Sequence, residues 1–403
     1  MDPHDIVIQL VIILVAARIF GELALFFKAP AVIGEMVAGI VLGPSVLSWI
    51  GISEPLNLLA QIGIILLLFE VGLESDINKL SSAGKKATIV ALGGVLIPFA
   101  GGYLIAHHLF GLSFLASLFI GSTLTATSIG ITLRVLKDLK QHNSHQGQIV
   151  IGAAVLDDII GIIILSILFE FATTGIVEVE SVGKVFLYIT SFFLLAPFAA
   201  KIMSHTIMKW DERTAITGLI PSAIVSVILF FAWLAYLVGA PSLLGGFAAG
   251  LAISRQFFFP FASFLRTYNG FSNNVEKQMK PIIGLFTPIF FVAIGLSLDL
   301  KSINWASPTI WLLTSSIFFI AVIGKMLSGF LLNNETLKSK LAIGTSMVPR
   351  GEVGLIFANV GITSGAITND VYASLILVIT FTTIFIPFGL RFVFRLKERR
   401  FFP

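Results

Sequence analysis

The 403-residue chain contains no cysteine, which excludes a disulfide scaffold, a thiolate metal centre and a cysteine redox site. Charge is scarce. Asp, Glu, Lys and Arg make up 12% of the residues, against ~25% in a soluble domain. No P-loop, G-x-G-x-x-G or H-E-x-x-H stretch occurs, so no nucleotide or zinc cofactor is expected. The basic residues are scattered over short connections instead of massed on one face, which argues against nucleic-acid binding. A cleavable signal peptide is not expected either: the N-terminus carries Asp2 and Asp5 in place of a basic leader.

What is present is apolar. Hydrophobic types reach 56% and the mean hydropathy is +0.98. A helix crosses the hydrocarbon with ~20 apolar residues. Thirteen such stretches can be read: 6–27, 31–49, 56–74, 86–108, 114–136, 148–172, 183–204, 215–238, 241–256, 280–299, 307–332, 338–361 and 370–394. The expected fold class is therefore an all-α polytopic membrane protein with 13 transmembrane helices. The longest connection, about 257–279, is expected to lie along the membrane surface. Placing the N-terminus outside puts 21 of the 26 Lys and Arg on the inner side and only Lys184 and Lys301 on the outer. Arg18, Lys325 and Arg350 fall within spans. This bias predicts an outside N-terminus and a cytoplasmic C-terminus in the cell inner (plasma) membrane.

The chain repeats itself. Gly72-Leu73 followed by Asp76 matches Gly295-Leu296 followed by Asp299 at an offset of 223. Ile120-Gly121-Ser122-Thr123 matches Ile343-Gly344-Thr345-Ser346 at the same offset. Gly34 and Gly39 match Gly245 and Gly250 at an offset of 211. Repeat one is 6–172 and repeat two 215–394, with 183–204 as a linker helix. Seven crossings separate the copies, so they are predicted to have opposite orientations. Inverted repeats are characteristic of secondary transporters, whose sites lie at the repeat interface near the midplane.

A charge at the centre of a spanning helix costs about 2.5–3.5 kcal/mol, so each one needs a partner or a watered cavity. Asp157 and Asp158 stand ten residues into an apolar span. Successive helical residues point about 100° apart, so one can face a cavity while the other faces a neighbouring helix. The offset of 223 sets Thr380-Phe381 opposite them, so only one copy carries acids. The plainer alternative is a hydrogen-bonded pair that locks helices together. Lys325 lies deep in its span with no acid within six residues on the same helix. One of the two Asp is its economical partner, and snorkelling to the interface is the alternative.

Two spans look broken, at equivalent places in the repeat. One runs Gly121-Ser122-Thr123-Leu124-Thr125-Ala126-Thr127-Ser128, the other Met347-Val348-Pro349-Arg350-Gly351-Glu352. Proline removes a helix donor and glycine lowers the cost of irregular backbone. Interrupted segments in corresponding positions point to a transport site. Freed carbonyls and the hydroxyls of Thr127 and Ser128 are hard oxygen ligands for an alkali cation. Arg350 and Glu352 would offset the exposed half-helix dipoles. For the first stretch the alternative is hydroxyls bonded back to their own helix. Glu35 and Glu70, near inner span ends, are either lining for a cytoplasmic funnel that attracts cations or solvated helix ends. Glu22 is expected to pair with Arg18, and His107, His108, His142 and His145 are read as solvated.

In this order, the hydroxyl-rich break, the Asp157-Asp158 helix, the mid-span Lys325 and the Pro349-Arg350-Gly351-Glu352 break resemble the monovalent cation:proton antiporter-2 family, and within it the electrogenic bacterial Na⁺/H⁺ antiporters. The resemblance covers the chain from Ile6 to the end. It implies a homodimer with a core (transport) domain, about 56–172 and 280–394, and a dimerisation domain, about 6–49 and 183–256. It implies that Asp158 binds the cation, with Asp157 a weaker ligand, and that Asp157 pairs with Lys325. Thr127 corresponds to the hydroxyl residue of the first break, and Arg350 and Glu352 to the second. Na⁺ or Li⁺ and H⁺ are then the substrates, exchanged in the service of pH homeostasis, with no cofactor. K⁺/H⁺ exchange on the same fold is the alternative. An intramembrane aspartyl protease would place its two acids on separate helices with a Gly-x-Gly-Asp motif, which this chain lacks.

Overall fold

The computed structural model describes residues 3–27, 29–74, 77–174, 179–211, 219–254, 269–301 and 303–398. Among these residues there are helices and no strands, as a chain that must satisfy every backbone group inside lipid requires. In order, α1 is Pro3–Phe26, α2 Ala31–Leu42, α3 Glu54–Glu74 and α4 Ile77–Leu104, extended by a π-helical turn over Ile105–Leu109. Next come α5 Phe114–Thr123, α6 Ile129–Asp138, α7 His145–Thr174 and α8 Val179–Asp211. The second half holds α9 Leu219–Leu237, α10 Ser242–Ile253, α11 Asn269–Leu296 and α12 Pro308–Phe330. It ends with α13 Leu337–Ser346, α14 Glu352–Thr363 and α15 Asn369–Glu398.

Eight of these helices are long and apolar enough to cross a membrane, and four shorter ones are apolar. The two stretches suspected of being broken are each split in two, α5 from α6 and α13 from α14. Several boundaries move: α2 ends at Leu42 and not 49, α4 begins at Ile77 and not 86, and the largest shift is at α11. The stretch expected as a surface connection to residue 279 is already helical from Asn269, and residues 255–268 lie outside the described set. The amphipathic run Asn269–Lys280 carries apolar Phe271, Val275 and Met279 on one buried face, which lets helix continue past the end of the apolar stretch.

The halves share their helical register. α5 and α13 are both ten residues long and begin 223 residues apart, while α2 and α10 are both twelve residues long and begin 211 apart. The same close approaches recur. A Cβ on Gly34 would clash with the carbonyl oxygen of Phe20, and one on Gly245 with that of Phe231, the residue 211 positions on. Likewise a Cβ on Gly72 would strike the Phe247 carbonyl, and one on Gly295 the Met36 carbonyl. Between membrane helices lipid supplies no hydrophobic drive, so small residues that admit backbone contact carry the packing.

Two compact units result: 1–15, 52–82 and 183–293 form one, and 16–51, 83–182 and 294–403 the other. The grouping differs from the expected domain division in where 31–49 and 56–74 fall. The glycine contacts account for that: α3 lies against α10 in the first unit, and α2 against the end of α11 in the second. The ion-site residues considered next all belong to the second unit, apart from Glu70.

Candidate ion site

Both breaks are short. α5 stops at Thr123 and α6 resumes at Ile129; α13 stops at Ser346 and α14 resumes at Glu352. Ser128 caps α6, its hydroxyl accepting from the Ile131 amide at 3.4 Å. The two irregular chains touch. The Ser128 amide donates to the Pro349 carbonyl at 2.7 Å. The Thr127 hydroxyl donates to the Met347 carbonyl at 3.0 Å, and the Thr132 hydroxyl to the Ser346 carbonyl at 2.8 Å. A Cβ on Gly351 would sit 2.5 Å from Ser128 Oγ, so glycine is what lets the chains meet. In this way a peptide chain that has left its helix still meets its hydrogen-bonding needs inside the membrane.

Arg350 is fully buried. Its guanidinium donates to the Ala126 carbonyl at 2.7 Å and to the Ala321 carbonyl at 3.2 Å, and its own carbonyl accepts from the Thr383 hydroxyl. It therefore places positive charge on a carbonyl of the opposite break. Glu352 opens α14; its side chain lies outside the described residues. The hydroxyls of the first break differ in what they bond to. Thr123 and Thr125 bond back to the Phe119 and Ser122 carbonyls, while Thr127 bonds across to the other break.

α7 carries the acids. Lys325 on α12 donates to both carboxylate oxygens of Asp157, each at 3.0 Å, and both side chains are sealed from solvent. Lys325 does not snorkel. Asp158, the next residue, is buried at 3% exposure and points elsewhere around the helix. The crossing is about one helical turn away: a Cβ on Gly161 would stand 3.9 Å from Val353 in the first turn of α14. Asp157, Asp158, Lys325 and Arg350 thus provide two formal charges of each sign, and α7 packs on α5, α13 and α14. Desolvating an ion pair is costly unless geometry and extra hydrogen bonds compensate. An acid held ready beside such a pair can accept either a proton or a small cation.

The remaining expected residues are placed differently from one another. Glu35 is not a solvated helix end. It is buried at 3% exposure, with Arg134 of α6 at 3.8 Å, and Arg134 in turn reaches Asp138 at 3.5 Å. Glu70 is half-buried on α3, in the other unit. Three groups escaped sequence reasoning. Thr132 and Thr383 bond to the breaks from α6 and α15. Glu335, before α13, accepts from Lys86 at 2.6 Å and from Ser339 at 2.7 Å, and lies 2.8 Å from His145 Nε2 at the start of α7. Burial on its own would raise the Glu335 pKa, but these hydrogen bonds outweigh it and hold the carboxyl at about 2.

Over residues 10–396 the chain matches the family described as sodium/hydrogen exchanger, transmembrane. It belongs to the sodium/hydrogen exchanger family. The high-affinity Na⁺/H⁺ antiporter NhaS3 of Synechocystis is 32% identical, over 96% of this chain and 90% of that protein. The Na⁺/H⁺-K⁺ antiporter GerN of Bacillus cereus is 33% identical over 97% of each. The fold is that of the sodium proton antiporter MjNhaP1 from Methanocaldococcus jannaschii, with a TM-score of 0.74 over the full length of both chains at 16% identity. A transmembrane exchanger is a transporter and not an enzyme, so the protease alternative falls away.

Proposed function

We propose that the protein exchanges H⁺ for Na⁺ (or Li⁺) across the plasma membrane by alternating access, with the N-terminus outside. The observation that carries this reading is a sealed Asp157–Lys325 pair beside a second buried acid, on a helix packed against two crossed helix breaks. The names of relatives at 32% and 33% identity support the ion pair exchanged. Asp158 is the carboxylate for which proton and cation compete, with Thr127 and Ser128 lending oxygen ligands from the break. When a cation loads, Asp157 and Lys325 share or release a proton between them. The carrier crosses loaded with one or the other, never empty. Two protons per cation would move one net charge per cycle, so the membrane potential would contribute ~2.3 kcal/mol per 100 mV. The protein works as a homodimer in this reading, and it serves pH homeostasis.

K⁺ as an alternative cation is favoured by one observation: GerN, equally similar over its whole length, is named for K⁺ as well as Na⁺. Proteoliposome dequenching with Na⁺, Li⁺ and K⁺ under a clamped potential separates the readings. Asp158→Asn is expected to abolish cation-driven proton movement. Normal Na⁺-driven exchange by that variant would remove Asp158 from the site.

A further inference from the structure

Almost every hydroxyl at the crossing has a hydrogen bond: Thr123, Thr125 and Ser346 with their own helix or turn, Thr127, Thr132 and Thr383 across it. Ser122 and Thr345 make none, although they are buried at 0% and 5% exposure. They are the same position, 223 residues apart, each the penultimate residue of a ten-residue half-helix. The backbone around them is also alike. The Thr125 amide donates to the Ser122 carbonyl at 3.0 Å, and the Val348 amide to the Thr345 carbonyl at 3.2 Å. The carbonyls are engaged, and the hydroxyls are left over.

A buried hydroxyl without a partner is costly to keep. Among the described residues, buried Thr287 and Thr314 also lack a partner, but only Ser122 and Thr345 recur at one register of the two copies. Both stand in the last turn of a half-helix, where the dipole is negative and favours a cation, and half-helix C-terminal ends are where transporters coordinate alkali ions. α5 and α13 both pack on α7, the helix of Asp157 and Asp158. We propose that the Ser122 and Thr345 hydroxyls, one from each copy, ligate the transported monovalent cation or the waters it retains, and so set its affinity and the order of preference among Na⁺, Li⁺ and K⁺. This rests on the exchange reading above.

The test uses the purified full-length protein in liposomes, as Ser122→Ala, Thr345→Val and the double variant, with Ser122→Thr and Thr345→Ser as hydroxyl-keeping controls. Each deletion is expected to raise KM for Na⁺ about tenfold and to alter the Na⁺/Li⁺/K⁺ order, with kcat at saturating Na⁺ held within about twofold; tenfold is ~1.4 kcal/mol of lost binding. The controls should keep wild-type KM. Thermal unfolding supplies a second readout. Without Na⁺ the deletions leave no group stranded and should melt at or above the wild-type temperature, while the rise in melting temperature on adding Na⁺ should shrink. Deletions that unfold, or that melt lower without Na⁺, would mean structural hydroxyls and overturn the proposal. So would a folded double variant with wild-type KM and ion order. If the wild type itself showed no cation-coupled proton movement, the exchange reading would fall first; if it exchanges normally and the variants match it, only the hydroxyl assignment falls.

Discussion

α7 and α15 are both thirty residues long and hold corresponding places in the two halves, yet α7 carries Asp157 and Asp158 where α15 carries Thr380 and Phe381. Thr380 bonds to its own helix through the Ile376 carbonyl, and Phe381 packs edge-on against Phe318 at 6.3 Å. The reverse holds elsewhere. Lys325 on α12 corresponds to Gly102 on α4, and Arg350 in the second break to Thr127 in the first. One copy brings the two negative charges, the other the two positive ones. The lesson is that backbone symmetry and chemical asymmetry do separate work. Matching breaks give two similar half-helix ends, while the acid of one copy and the lysine of the other form the buried Asp157–Lys325 pair that neither copy could make alone.

The largest effect expected from breaking this comparison is at Lys325. Lys325→Met leaves Asp157 buried without its cation and should cost about 3–5 kcal/mol in thermal unfolding. Adding Asp157→Asn should recover most of that loss; a double variant no more stable than the single one would show that the charges are not held as a pair. A smaller and equal effect is expected from Gly34→Ala and Gly245→Ala, about 1–3 kcal/mol each through overpacking against the Phe20 and Phe231 carbonyls. Clearly unequal melting temperatures for those two would break the symmetry of the packing.

The smallest effect concerns a contact with no counterpart, since Glu335 corresponds to Leu112 in the first copy. Glu335→Gln should cost about 1 kcal/mol. Burial opposes the charge of Glu335, but its bonds to Lys86, Ser339 and His145 win and hold its pKa at about 2, below the ordinary 4.5. A depressed carboxylate stabilises the fold above its unfolded pKa. The stability gap between wild type and Glu335→Gln should therefore be constant above about pH 5 and narrow as pH falls from there towards 2. A gap that widens on acidification would contradict the assignment.

Much of the site was legible because charge in an apolar run is conspicuous. Asp157, Asp158, Lys325 and Arg350 identify themselves by the cost of placing them there, and Pro349 with Gly351 marks a helix that cannot continue. Lys325 had to find an acid off its own helix, and did. The hydroxyls were harder to read. Thr127 and Thr132 bond to carbonyls 220 and 214 residues away, and every residue has a carbonyl, so no residue type signals that pairing. Of the two readings open for Glu35, only the solvated helix end is removed, by its burial and by Arg134 of α6 at 3.8 Å, a contact no local pattern signals.

Composition and order alone determined that this chain lies in lipid as helices, that it is doubled, and which few residues bear charge there, because a nonpolar solvent leaves a sequence so little freedom. Which acid takes the lysine, which carbonyl takes the arginine, and that Ser122 and Thr345 are left with nothing to hold were decided only when the helices packed. Those outcomes depend on direction around a helix and on ångström-scale approach between segments more than two hundred residues apart, and a linear pattern carries neither.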